Sequence, residues 1–266
     1  MVPPKSDKGG WVDYRPEIKV LDCTIRDGGL INDHKFTDAF AKGVYDACVA
    51  AGVDYIEMGY KTSKRLSNPK DFGPWKFCDE EDLRRIVGDN KTDVKISIMA
   101  DAERCDYQTD ILPKKESVVD MVRVACYIHQ IPIAVDMVLD AKEKGYETCC
   151  NIMAASTIQE NDLKEGLKVL AETPVDVVYL VDSFGSLYSE EIRDLTKIDN
   201  WFLYKMKNIA DIEKHLGGFK NVEDIPRGIL LRAKQCGTGT IFQSNQHYLG
   251  SRRQPNCHGV WWQRNI

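Results

Sequence analysis

Val20-Leu21-Asp22-Cys23-Thr24-Ile25-Arg26-Asp27-Gly28-Gly29 is the stretch on which the fold of this chain turns. Its first half continues an apolar run that starts at Ile18. Pro16 bounds that run on one side and Gly28-Gly29 on the other, so it predicts a short buried β-strand. Its second half puts an arginine and an aspartate directly after the strand. Arg26 offers a planar fork of donors that suits a carboxylate or an enolate oxygen. Asp27 offers hard oxygens that suit a divalent cation. Gly28 lets the backbone turn sharply and come close to a ligand. An Arg and an Asp after a strand also often form a plain ion pair, and spacing alone does not separate the two readings.

Working outward, the pattern of that first strand repeats. Phe40, Val44, Cys48 and Ala51 fall at helical spacing, and the stretch 36–51 closes at Gly52. Strands are predicted at 54–59, at 94–100, within 118–125, at 147–153 and at 175–181. Helices are predicted at 80–87, 132–144 and 160–172, with a further one starting at 190, and 62–78 reads as a loop. Strands alternating with helices imply parallel βαβ units. Near-continuous apolar strands such as Val175-Asp176-Val177-Val178-Tyr179-Leu180-Val181 imply a sheet covered on both faces. The expected architecture is α/β, a (β/α)8 barrel that is incomplete, with six βα units recognisable. An open doubly wound sheet is the alternative. The domain division that follows is a polar N-terminal segment, 1–16, a barrel domain, 17–198, and an atypical C-terminal region, 199–266.

In barrels of this kind the working residues gather at the carboxyl ends of the strands. Those ends supply Arg26 and Asp27, Glu57, Asp101, Arg123, Asn151, and the pair Asp182-Ser183. His129, just before Pro132, is a further candidate base, although a hydrogen-bonded structural histidine is the plainer reading. Cys149-Cys150 has no histidine placed to activate it and reads as buried thiols.

Composition narrows the rest. A chain of 266 residues with 43% hydrophobic content suits one large core, and a net charge of -5 gives no reason to expect nucleic acid or an anionic membrane as partner. Trp261-Trp262 with Arg252, Arg253 and Arg264 mimics a stacking surface but stands in a stretch without periodicity. No apolar run reaches the roughly 18 residues that span a bilayer, and the start lacks a signal peptide's apolar core. Nine cysteines without paired CxxC spacing fit reduced thiols in a cytoplasmic protein.

The opening motif closely resembles the first-strand signature of the DRE-type metallolyase superfamily, which includes 4-hydroxy-2-oxovalerate aldolase, hydroxymethylglutaryl-CoA lyase and the isopropylmalate and homocitrate synthases. Later segments agree in order: Ala51-Gly52-Val53-Asp54-Tyr55-Ile56-Glu57-Met58-Gly59-Tyr60, then Lys142-Glu143-Lys144-Gly145-Tyr146, then Val181-Asp182-Ser183-Phe184-Gly185-Ser186. The double glycine and the Asp-Ser-Phe-Gly-Ser run look most like the aldolase-like branch. The resemblance implies a (β/α)8 barrel holding Mn²⁺ or Mg²⁺, and a small 2-oxo acid whose carbon–carbon bond is broken or made through an enolate. It makes Asp27 the metal ligand and Arg26 the group that steadies enolate charge. Glu57 and Asp182 become catalytic positions, and Arg26, Gly28, Arg123, Asn151 and Ser183 substrate-binding ones.

Two departures cut against full activity. A histidine usually follows the glycines in the aldolase branch, where this chain has Leu30, with His34 the nearest imidazole. The family's His-x-His pair at the end of the seventh strand is missing: the five histidines are His34, His129, His215, His247 and His258. One carboxylate is too few for an ion that wants about six donors. After 198 the pattern fades, with one helix expected within 199–221, one short strand at 228–233, and no further βα unit from 235 on. Three explanations stay open: a barrel cut short, new ligands such as His247 or His258, or a non-catalytic relative that binds a partner protein. An acyl-CoA condensing enzyme of the Claisen type is the other enzymatic reading. A barrel lacking two strands leaves two unpaired edges, which predicts low stability, a homo-oligomer, or both.

Overall fold

The structure, a computed structural model, describes residues 18–195 together with the backbone of 239–244 and 260–264. Six strands run in sequence: β1 (Ile18–Asp22), β2 (Tyr55–Tyr60), β3 (Lys95–Asp101), β4 (Met121–Cys126), β5 (Glu147–Ile152) and β6 (Val177–Asp182). Each pairs in parallel with the next. Between them lie α1 (Thr24–Gly28), α2 (Asp38–Ala51), α3 (Glu80–Val87), α4 (Tyr107–Asp110), α5 (Ile131–Glu143) and α6 (Glu160–Ala171), and 189–195 are again helical. The strand order is strictly consecutive, so the sheet winds one way around. A doubly wound sheet would reverse its order at a switch point. That alternative is set aside, and the fold is an incomplete (β/α)8 barrel.

Individual strands land within a few residues of where periodicity puts them. Two differences matter. The chain after β1 does not go straight into a loop but makes the short helical turn α1, which carries Arg26 and Asp27. The expected loop at 62–78 is in part a packed piece of core: a 3-10 turn at Pro74–Lys76 buries Trp75 completely, with Phe77 and Cys78 beside it.

A larger correction concerns the edges. Gly239–Ser244 forms β7, parallel to β6, and Val260–Arg264 forms β8, antiparallel to β1. Gly239-Thr240-Ile241-Phe242-Gln243-Ser244 and Val260-Trp261-Trp262-Gln263-Arg264 are short runs with β-branched and aromatic residues, which suit a strand without the alternation that reveals one. They give β1 and β6 outer partners, so neither edge of the six-stranded unit is bare. They are not two more βα units, since β8 runs the wrong way for a regular barrel and does not pair with β7. The helix expected within 199–221 and the strand at 228–233 lie outside the described residues.

The pleat sorts the side chains. In β4, Val122, Val124 and Cys126 join the layer between sheet and helices, while Met121 and Arg123 face the barrel interior. Leu21, Cys23, Tyr55, Cys149, Val177 and Tyr179 fill that interior with Met121. In β2 the register shifts between Glu57 and Tyr60. The shift turns Tyr60, which would otherwise follow Ile56 and Met58 outward, into contact with Met99 and Ala125 on the inner side.

Candidate active site

The inner residues at the carboxyl ends of β1, β2, β4 and β5 form one chain of contacts. Arg26 pairs with Asp27 through Nη1 and donates from Nε to Glu57 Oε2 at 2.6 Å. Arg123 donates from Nη1 to Glu57 Oε1 at 2.7 Å and from Nη2 to Asn151 Oδ1 at 3.1 Å. The Cys23 thiol donates to Glu57 Oε2 at 3.3 Å, a contact that its apolar sequence surroundings do not announce. Glu57 and Arg123 are completely buried. Burial works to raise the Glu57 carboxyl, but the Arg123 and Arg26 guanidiniums outweigh it and hold it below the ordinary carboxylate range. A buried carboxylate between two arginines is the arrangement in which an unpaired charge is avoided on every side.

This network has one loose end at the rim. Arg26 Nη2 is buried and has no hydrogen-bond partner among the described residues. An orphaned buried donor costs about 1–3 kcal/mol, which an acceptor on a bound ligand would return. Deeper in, Arg123 Nε, Tyr179 Oη and Ser97 Oγ are also unpartnered among the described residues. Arg123 lies over the Tyr179 ring, 4.6 Å from its centroid.

Of the residues singled out in the sequence, Arg26, Asp27, Glu57, Arg123 and Asn151 thus come together. Arg123 holds Glu57 and Asn151 holds Arg123, both buried rather than meeting solvent. Asp182 and Ser183 lie in a separate turn after β6. Asp182 accepts from the backbone N–H of Ser186 at 3.2 Å and of Leu187 at 3.0 Å, and Ser183 Oγ accepts from Ala154 N at 2.8 Å. Gly28 closes α1, where a Cβ would stand 3.2 Å from the Phe36 ring. His129 stacks on Tyr127 at 5.9 Å, away from this cluster.

A second group rings Tyr60. Lys76 Nζ stands 4.6 Å from the centroid of its ring and the Arg26 guanidinium carbon 5.8 Å, with the His34 ring edge-on at 5.4 Å. Asp101, the last residue of β3, shares the inner face with Ser97 and Met99. Burial, helped by Lys76 and Arg26, lowers the His34 imidazole to about 4, so it is neutral at physiological pH. Burial pushes the Tyr60 phenol up to about 12 against the pull of Arg26. Lys76 was hidden in sequence, being one lysine in an apparent loop. The isolated Gly59 inside a strand pattern was the available signal for the register shift.

The Mn²⁺ or Mg²⁺ that the resemblance implies does not fit these residues. Among the described residues no three His, Cys, Asp or Glu side chains gather into a ligand set. The Asp27 carboxylate is held by Arg26, and that of Asp182 by two backbone amides.

Comparison with known proteins agrees with the fold and the motifs. 4-Hydroxy-2-oxovalerate aldolase 1 of Rhodococcus erythropolis is 26% identical over 234 residues, 87% of this chain and 64% of its own length. The 4-hydroxy-2-oxovalerate aldolase of Pelotomaculum thermopropionicum is 28% identical over 180 residues, 67% of this chain and 52% of its own. The chain therefore spans about half to two-thirds of the length of these curated relatives. Among solved structures, the N-terminal domain of a putative aldolase from Bacteroides vulgatus matches with a TM-score of 0.54 at 25% identity, covering 69% of this chain and 60% of that one. Hydroxymethylglutaryl-CoA lyase from Pseudomonas aeruginosa matches in fold, with a TM-score of 0.54 at 18% identity over 69% of this chain and 64% of that one. A family model described as the oligomerisation domain of the carbamoyl-phosphate synthetase large chain matches residues 134–240. That match covers less than half of the chain, beginning inside α5 and ending inside β7, so it assigns nothing here. By its ordered motifs, its relatives and its fold, this chain is a homologue of proteins named 4-hydroxy-2-oxovalerate aldolase and resembles the DRE-type metallolyases.

Proposed function

We propose that this chain is a carbon–carbon lyase of the aldolase type for a small 2-oxo acid, with Arg26 holding the substrate's carboxylate or enolate oxygen. The observation that carries this reading is Arg26 Nη2 at the carboxyl end of β1, buried and without a hydrogen-bond partner among the described residues. Glu57 fixes that guanidinium by its Nε, Arg123 fixes Glu57, and Asn151 fixes Arg123, so the fork is set before a ligand arrives. Asp27 neutralises the other side of the fork, Gly28 lets the chain turn beneath the ligand, and Asp182 with Ser183 shapes the far rim. Among the described residues, seven buried, free cysteines suit a reducing, cytoplasmic setting. That no donor set for a divalent ion gathers among the described residues favours a second reading, in which the barrel keeps its fold and binds a partner without catalysis.

The test is a thermal melt with and without pyruvate, alongside an assay for pyruvate release from 4-hydroxy-2-oxovalerate, each repeated with Mn²⁺ and with chelator. Pyruvate at about a hundred times its dissociation constant should add roughly 2.7 kcal/mol to the native state. Arg26→Ala should abolish that gain. Neither a shift nor pyruvate release under any condition would remove the lyase reading and leave partner binding.

A further inference from the structure

Resting on the 2-oxo acid reading above, we infer that Lys76 is the amine that condenses with the substrate's 2-oxo carbon, with Asp101 as its proton carrier. The electron sink of the reaction is then a protonated imine on this chain's own side chain. Such a sink does without the ligand set that the described residues lack.

The placement comes from the fold. Gly59 has no side chain, and a Cβ there would lie 2.0 Å from the Trp75 carbonyl oxygen. The 3-10 turn at Pro74–Lys76 can therefore lie directly on the end of β2, and Thr62 N donates to the Lys76 carbonyl at 3.2 Å to hold it there. Lys76 is 8% exposed, and among the described residues its amine forms no ion pair, only the faces of Tyr60 at 4.6 Å and Phe72 at 5.6 Å. The register shift in β2 brings Tyr60 to the same side as Asp101, which ends β3. The Asp101 carboxylate likewise has no hydrogen bond or ion pair among the described residues. Arg26, with its unpartnered donor, completes the ring around Tyr60.

The chemistry of the groups agrees. Burial lowers the Lys76 ammonium, with Asp101 opposing and Arg104 assisting. Burial raises the Asp101 carboxyl, with Lys76, Arg104 and Arg26 opposing and Glu57 assisting. Both groups are thus moved toward their neutral forms, which an amine nucleophile and a proton donor need. A surface lysine–aspartate pair would move the other way. The other ionisable groups facing this corner are His34, neutral by burial, and Tyr60, whose phenol stays protonated.

The steps balance. The neutral amine of Lys76 adds to C2 of the 2-oxo acid, whose carboxylate lies on Arg26; the protonated Asp101 gives its proton as the C2 oxygen leaves as water, so that a protonated imine and an Asp101 carboxylate remain. Asp101 takes the proton of the C4 hydroxyl as the C3–C4 bond breaks. The electron pair of that bond moves into the imine to give an enamine, and an aldehyde departs. The proton on Asp101 goes to C3, and water hydrolyses the protonated imine to release the shortened 2-oxo acid and the free amine, the proton set free returning to Asp101.

The experiment is borohydride reduction of the full chain in the presence of pyruvate and chelator at neutral pH, read by intact mass and peptide mapping, with the pyruvate melt run in parallel. The expected result is one reduced adduct per chain, on Lys76, lost in Lys76→Arg and in Lys76→Met, each checked for an unchanged melt without ligand. Asp101→Asn should still trap the adduct while losing carbon–carbon cleavage. A pyruvate-dependent melt shift with no adduct, or adducts scattered over surface lysines, overturns the role of Lys76 and leaves the lyase reading standing. Absence of both overturns both.

Discussion

At the scale of single residues, Glu57 is the side chain on which most depends. It is fully buried and is the shared partner of two guanidiniums. Glu57→Gln keeps the shape but leaves buried positive charge uncompensated, so about 3–5 kcal/mol of stability should go, read from urea unfolding. His34 gives a pH-dependent counterpart. Its ordinary value of 6.5 drops to about 4 on folding, so below 6.5 the unfolded chain binds the proton first. Its contribution is complete above that value and is lost as pH falls toward 4. The melting temperature should therefore fall between pH 7 and pH 5, and His34→Asn should flatten part of that slope. Asparagine is the fitting substitute because His34 has φ 60, a left-handed conformation that Asn tolerates better than most residues. An unaltered slope in the variant would assign the acid loss to other groups.

At the scale of elements, the close seating of the 74–76 turn on β2 is the most exposed to single changes. Gly59→Ala would drive a methyl group into the Trp75 carbonyl, a backbone atom that cannot swing away. We expect that variant to lose several times the roughly 1 kcal/mol of a typical point substitution, and to lose pyruvate binding with it. A milder control is Thr37→Ala at the start of α2, where the Thr37 hydroxyl accepts from Phe40 N at 3.2 Å. That change should cost about 1 kcal/mol and leave binding alone. These elements also mark how far the sequence could be read. β2, β6, α2 and α3 were legible because each repeats its own period over enough residues. The Arg26-Asp27 end of β1 was legible because an ionic pair after an apolar strand is a local pattern. Lys76 and the inward turn of Tyr60 were not. They depend on a register shift and on a loop folding back across a glycine, which are decided by contacts between residues far apart in the chain.

At the scale of the molecule, the six-stranded unit gains outer partners on both sides from β7 and β8. Removing 199–266 would strip β1 and β6 of those partners and expose two rows of unpaired backbone groups. The shortened chain should self-associate, seen as a rise in mass by light scattering relative to the full chain. A monodisperse monomer with a sharp cooperative melt would count against this role for the two strands. The antiparallel course of β8 has a further consequence. Val260 lies beside Asp22 at the end of β1 that bears Arg26, whereas Arg264 lies beside Ile18 at the opposite end. Ile18 and Arg264 therefore both stand at the floor of the barrel, opposite the end that bears Arg26. A surface attachment made at Ile18 or at Arg264 would turn the Arg26 end of the barrel toward the flow that carries small molecules past it.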